Sequence, residues 1–375
     1  MRILHTSDLH LGIMLHECSL LDEQHAMINT LIDIVRENDV DVAIIAGDIF
    51  DRALVPQSAL QLYDILVTRL CVELEVPTII CAGNHDAPDR LALCNKMLAK
   101  SSLFVEGRVS RDIKPVIIKN CAFYMIPHFN TETVRALFPE ENIENYQAAY
   151  KLVCDKIRSE MDEKLVNIVV GHCYVAGGVL SESDRSARLG GSEIIPASVF
   201  DGFDYVALGH LHAPYNVTPS IRYSGTPLKY SFGEKGNTKS VSIFDSESKD
   251  IFTINFPFVK DLREISGTFL ELLELAESDV KKDDYMKIVV TDRYPTGDIY
   301  ELFKKLYSYI LKFEGMAIRS ETSMSTLTAG EIVKLSPLEL LKDYYSNKDD
   351  VELSEFELEW FEKALIAVKG EVDKQ

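Results

Sequence analysis

The sequence is short of positive charge: 39 Lys and Arg stand against 59 Asp and Glu, a net charge of −20 over 375 residues. That deficit argues against a chain that grips nucleic acid by itself, because phosphate-binding surfaces are usually basic. No uncharged apolar run approaches the ~18 residues of a membrane span, so no membrane association is expected. The N-terminal MRILHTSDLH lacks the apolar stretch and small-residue cleavage site of a secretory signal. Seven cysteines lie scattered at 18, 71, 81, 94, 121, 154 and 173 with no C-x-x-C pair. This suits reduced thiols in a cytoplasmic protein better than a disulfide framework or a thiolate zinc site. No internal repeat or low-complexity tract is visible. What remains is ordinary for a soluble globular chain, 46% hydrophobic and 26% charged. Its length allows one large domain with appendages, or two to three domains.

The first two-thirds alternates short apolar runs with helical spacing. The runs are RILHTSD (2–8), DVAIIAGD (41–48), VPTIICAGNHD (76–86), LVNIVVGH (165–172) and DYVALGH (204–210). Each has the length and Val/Ile content of a buried strand and ends at a turn signal. Residues 20–36 place Leu21, Met27, Ile28, Leu31, Ile32 and Val35 at helical spacing, and 57–70 and 88–99 also read as helices. Such alternation predicts an α/β core with covered sheets. Further strands are expected at 115–119, 121–126, 221–224, 240–244 and 251–256, giving a mixed sheet or sandwich.

The pattern changes near Phe256-Pro257-Phe258. Beyond it the spacing predicts strand 259–265, helix 268–277, strand 285–291, helix 298–312 and strand 316–320. Two amphipathic helices follow, one opening at Ser336-Pro337 and one over 354–368. The division expected is therefore 1–257, 258–325 and 326–375.

Every one of the five runs ends in metal-ligating residue types: Asp8-Leu9-His10, Gly47-Asp48-Ile49-Phe50-Asp51, Gly83-Asn84-His85-Asp86, Gly171-His172 and Gly209-His210-Leu211-His212. Ligand sites of open α/β sheets form at the carboxyl ends of strands, so these groups can converge on one pocket. Residues two apart in extended backbone project to the same side, which lets Asp8 with His10, and His210 with His212, face one centre. Four imidazoles, two carboxylates and one amide exceed the needs of a single ion. They suit two ions about 3.5–4 Å apart sharing a carboxylate. A lone buried histidine is usually structural, but five of the nine histidines fall inside these motifs.

The order D-x-H, GD-x-x-D, GNHD, GH, GHLH resembles the calcineurin-like metallophosphoesterase superfamily. The resemblance implies a mixed β-sandwich flanked by helices, with one ion on Asp8, His10, Asp48 and His212. The second ion would sit on Asp48, Asn84, His172 and His210, with Asp48 bridging. It makes His85 the catalytic histidine and Asp51 and Asp86 supporting acids, Asp51 orienting a histidine by a hydrogen bond. Ligands of Asp, Asn and His without Cys favour Mn²⁺ or a similar divalent ion.

The run Arg222–Glu234 (RYSGTPLKYSFGE), together with Tyr174–Gly178, Gly190-Gly191 and Ile195–Ser198, is similar to the bacterial SbcD-type family of DNA-repair nuclease subunits. The 258–325 unit is similar to that family's α/β capping domain, and 326–375 to its partner-binding helices. The resemblance implies a homodimer within a heterotetramer with an SbcC-type coiled-coil ATPase. It also implies Mn²⁺-dependent 3′→5′ exonuclease action on duplex ends and ATP-linked endonuclease action on hairpins or blocked ends. Archaeal and eukaryotic relatives carry histidine near position 51 or 52, where this chain has Asp51-Arg52. A stand-alone phosphodiesterase or phosphatase of the same fold is the alternative.

Other candidates each have a plainer competitor. Arg52, Arg185 and Arg188 are candidates for DNA contact, the last two in a polar loop that can equally be solvated surface. Leu338, Leu341 and Tyr345, with Phe361 and Leu365, form stripes suited to a partner's groove or to docking on the chain itself. His16 and His128 are rim candidates. Helices 57–70 and 88–99 serve either a dimer contact or burial on the sheet.

Overall fold

A computed structural model describes residues 1–177, 193–293 and 296–315. Two six-stranded mixed sheets form its centre. The first runs in spatial order Ile251–Asn255, Ser240–Asp245, Arg2–Thr6, Val42–Ala46, Thr78–Cys81 and Leu103–Glu106. Its last four strands are parallel, while Ser240–Asp245 pairs antiparallel to Arg2–Thr6. The second runs Tyr215–Asn216, Ile221–Tyr223, Tyr205–Gly209, Val166–His172, Cys121–Ile126 and Val116–Ile118. Four of the five expected motif runs thus form parallel neighbours in pairs: 42–46 beside 78–81, and 166–172 beside 205–209.

Side-chain alternation explains why these runs are apolar throughout. Ile3, Val42, Ile44 and Ile79 face Phe123, Ile168, Val170 and Ala207 between the sheets. Leu4, Ala43, Ile45 and Ile80 point the other way, onto Met27, Ile28, Leu31 and Ile32 of the helix Leu21–Glu37. Across the molecule Tyr124, Val169, Val206 and Leu208 meet Ala149, Tyr150 and Val153 of the helix Tyr146–Glu160. Burying each such side chain contributes roughly 1.5–3 kcal/mol. The result is a helix–sheet–sheet–helix sandwich, the α/β class expected.

A smaller three-stranded parallel sheet follows, ordered Leu262–Gly267, Tyr285–Val290, Tyr309–Gly315. The helices Phe269–Ser278 and Gly297–Lys304 close its own core around Leu272, Met286, Ile288 and Phe303. Thr268 and Glu271 form a reciprocal capping box at the first of these helices. Leu262 and Tyr285 insert into the large core, and Lys260–Glu23 and Lys229–Asp261 ion pairs tie the two parts together.

Three expected elements differ. Residues 88–99 are not one helix but two four-residue turns, Pro88–Leu91 and Asn95–Leu98, broken by Cys94 at φ +60°. Leu93 and Met97 lie exposed, so no continuous apolar face exists to hold a longer helix. The helix Gln57–Thr68 runs on into a wider π turn over Arg69–Glu73. The helix expected at 298–312 ends at Lys304, and Tyr309–Gly315 is instead a strand, because parallel pairing with Tyr285–Val290 outweighs local helical spacing. The strand expected at 316–320, the boundary at 325 and the helices of 326–375 lie outside the described residues. No helix among the described residues is long and apolar enough to cross a membrane.

Candidate metal centre

The strand ends converge because backbone N–H groups of one motif bond carbonyls or carboxylates of another. Asp8 N–H donates to the Gly47 carbonyl at 2.9 Å and His10 N–H to that of Asp48 at 3.0 Å. His210 N–H reaches the Asp8 carboxylate at 3.1 Å, across 202 positions of sequence. The Asp86 carboxylate accepts from Ile49, Phe50 and Gly83 N–H groups, pinning the second motif to the third. Gly47 and Gly83 are required by space. A Cβ would fall 2.2 Å from His172 Nδ1 at the first and 2.1 Å from Asp48 Oδ1 at the second. Asp8, His10, Asp48 and His210 all carry positive φ, at 53°, 43°, 49° and 100°. Such backbone costs energy in non-glycine residues and clusters at functional sites.

Two groups of donor atoms result. In one, His10 Nε2 and His212 Nε2 face each other at 3.2 Å beside Asp8. In the other, Asn84 Oδ1 lies 3.0 Å from both His172 Nε2 and His210 Nδ1. Asp48 Oδ2 sits between them, 3.9 Å from His10 Nε2 and 3.4 Å from His172 Nε2. The seven residues expected as ligands are therefore all brought together.

Electrostatics prepare this donor set. Burial keeps His10 well below its ordinary pKa and lowers His210 to about 3, so both rings offer lone pairs at neutral pH. Burial raises Asp8 to about 6. For Asp48 burial acts the same way, but the surrounding His172, His10 and His85 outweigh it and hold the carboxyl well below its usual range. Burial disfavours charge on His172, yet the Asp48 carboxylate prevails and raises it to about 9. His172 Nδ1 donates to the Ala46 carbonyl at 2.9 Å while Nε2 faces two oxygen acceptors. A divalent cation is a natural replacement for the Nε2 proton, and the facing nitrogens of His10 and His212 fit one equally well.

His85 lies alongside. Its ring Nδ1 donates to the Asp51 backbone carbonyl at 2.7 Å, and its ring stands edge-on to His10 at 4.9 Å. Asp51, expected to orient a histidine, meets His85 through its carbonyl, while its carboxylate lies 3.9 Å from His10 Nδ1.

Residues 1–214 match the family described as calcineurin-like phosphoesterase. The chain belongs to that family. Residues 259–349 of this phosphoesterase match a second description, the type 5 capsule protein repressor C-terminal domain. The chain is 29% identical over 359 residues to the D component of the nuclease SbcCD from Staphylococcus epidermidis, covering 95% of each protein. Among solved structures, TT1561 of Thermus thermophilus aligns at TM-score 0.42 and 13% identity, over 68% of this chain and 99% of that one.

Around the phosphoesterase centre, the structure adds residues that sequence reasoning left without a role. Ser7 Oγ bonds Asp8 Oδ2 at 2.5 Å and Ser224 Oγ at 3.0 Å. Tyr230 donates to the Leu9 carbonyl and sets its ring against His10. Glu234, fully buried, faces His212 Nδ1. Ser224, Tyr230 and Glu234 all belong to the Arg222–Glu234 run, whose unusual length was the available signal. His128 does reach the rim, its ring 6.4 Å from His172, whereas His16 packs on Phe232. Arg52 is exposed beside Asp51. Arg185 and Arg188 lie outside the described residues, as do Leu338, Leu341, Tyr345, Phe361 and Leu365.

Proposed function

We propose that this chain is the nuclease subunit of an SbcCD-type complex, hydrolysing DNA phosphodiester bonds with two divalent ions, preferentially Mn²⁺. The observation that carries this is the pair of donor clusters with Asp48 lying between them and His85 alongside, in a chain similar to an SbcCD nuclease component along nearly its whole length. Asp8, His10, Asp48 and His212 would hold one ion; Asp48, Asn84, His172 and His210 the other. Bound there, the ions would lower the pKa of a water and offset negative charge on the phosphate oxygens. The protein's own contribution is positional. The Asp51 carbonyl holds the Nδ1–H of His85, so when the ring is doubly protonated its Nε2–H is the group that would hand a proton to the departing oxygen. The Asp48 carboxylate receives the His85 backbone N–H at 2.8 Å, which ties the acid's backbone to the bridging ligand.

On this reading the chain divides into nuclease (1–257), capping (258–325) and partner-binding (326–375) parts, the last meeting an SbcC-type ATPase; the match of 259–349 to a family description of its own supports a unit separate from the phosphoesterase part. Exposed Leu54, Leu60, Leu93 and Met97 support a homodimer within a heterotetramer. Arg90 donates to the Ala53 carbonyl, which draws two of the segments carrying these side chains together. With a net charge of −20, the isolated chain is expected to bind duplex weakly and to depend on its partner for phosphate grip. The test is end-labelled duplex and hairpin DNA in Mn²⁺, with and without the ATPase. Expected are 3′→5′ degradation of ends and ATP-dependent hairpin cleavage. No DNA cleavage together with rapid turnover of a small diester would favour a stand-alone phosphodiesterase.

A further inference from the structure

We infer that the buried Glu234–Lys239 ion pair positions His212 and tightens the metal position that contains it, adding to the inequality that Asp8 against Asn84 already sets between the two. The inference rests on the two-ion reading above.

His212 is held at both ends by one ion pair. Glu234 Oε1 faces its ring Nδ1 at 3.5 Å, and the other carboxylate oxygen takes the Lys239 ammonium. The same ammonium donates to the His212 carbonyl at 2.8 Å and to Thr226 Oγ1 at 2.6 Å. Thr226 N–H in turn donates to the His212 carbonyl at 3.1 Å. Both charged side chains have no exposure at all. Burying two charges is costly, and packing alone would be served as well by an apolar pair. The charges therefore mark a task that packing does not set.

That task follows from ring chemistry. A carboxylate behind Nδ1–H fixes the tautomer that leaves the Nε2 lone pair turned toward His10 Nε2, and it strengthens the imidazole as a donor. The other cluster has weaker support. His172 Nδ1 donates to the neutral Ala46 carbonyl, while His210 turns its Nδ1 into the donor set beside Asn84 Oδ1. Only one of the two clusters thus has an anion behind a ring nitrogen and a cation locking the same residue's backbone, among the described residues.

The test is Mn²⁺ titration of the full chain, followed by calorimetry and by the electron paramagnetic resonance signal of free Mn²⁺. The parent should bind two ions in separated steps. In E234Q/K239M, which removes both charges together, the tighter step should weaken by about ten- to a hundredfold while the weaker step stays in place. Thermal unfolding reports whether that variant is folded. Should it not fold, Glu234→Asp shortens the carboxylate's reach and should weaken the tighter step alone, whereas Lys239→Arg keeps the pair and should leave both steps unmoved. Equal weakening of both steps, or no change in the tighter one, overturns the inference and leaves the two-ion reading standing. A parent chain that binds fewer than two ions overturns both.

Discussion

His85 is anchored to Asp51 by the backbone carbonyl, not by the carboxylate, with Nδ1 and O 2.7 Å apart. The distinction matters because a side-chain substitution at 51 leaves that bond in place. His85→Gln should therefore keep both metal ions and lose about 10²- to 10⁴-fold in turnover of a phosphodiester. Asp51→Asn should cost at least tenfold less, roughly, on the same scale. Metal content by atomic absorption beside steady-state rates checks both; equal losses for the two variants would contradict the assignment.

Gly83 has no room for a side chain, since a Cβ would lie 2.1 Å from Asp48 Oδ1. Gly83→Ala should destabilise the metal-free chain by ~1–3 kcal/mol and displace the shared carboxylate. Urea unfolding gives the first quantity and Mn²⁺ titration the second. An unchanged midpoint with normal metal binding would show that the loop has slack.

Metal binding should release a proton. His172 is raised to about 9 by Asp48, against the effect of burial, so its ring is protonated near neutral pH in the metal-free chain. The cation must displace that proton, so affinity should climb about tenfold per pH unit between 7 and 9 and then level off. Calorimetry in two buffers of different ionisation enthalpy measures the release directly. No buffer dependence at pH 7.5 would contradict it.

The Glu234 carboxyl resists protonation despite its burial, because Lys239 and His212 together lower it to about 2 from an ordinary 4.5. A depressed carboxylate contributes stability that is whole above its unfolded pKa and is lost as pH falls toward the folded value. The stability of the parent relative to E234Q/K239M in metal-free form should fall by on the order of 3 kcal/mol from pH 4.5 to 2. Lys239→Met alone should cost ~3–5 kcal/mol at pH 7, since it strands a buried carboxylate. Denaturant titrations at stepped pH test both statements.

Deleting residues 326–375 should abolish binding of the ATPase partner while metal-dependent hydrolysis of a small diester persists. Co-purification of the two proteins decides it. Retained binding by the truncated chain would move the partner surface to another part of the protein.

Much of this was legible in sequence order. The five apolar runs ended where buried strands end, and Asp8, His10, Asp48, Asn84, His172, His210 and His212 lay at those ends. The helix expected at 20–36 forms at Leu21–Glu37, because its apolar spacing matches the face that the sheet covers. Errors came where non-local pairing overrode local pattern. Tyr309–Gly315 joined a sheet despite helical spacing, and Cys94 broke a stretch of which Leu91 and Leu98 pack on the core while Leu93 and Met97 stay exposed.

The sequence by itself determined which residue types stand at the ends of which strands, because strand period and turn chemistry are local. Tertiary structure alone decided the rest. It placed Glu234 behind His212, 22 positions away, and turned the Asp51 carbonyl toward His85, 34 positions away. Such pairings depend on how two sheets pack and how loops cross their ends, and no local periodicity records them.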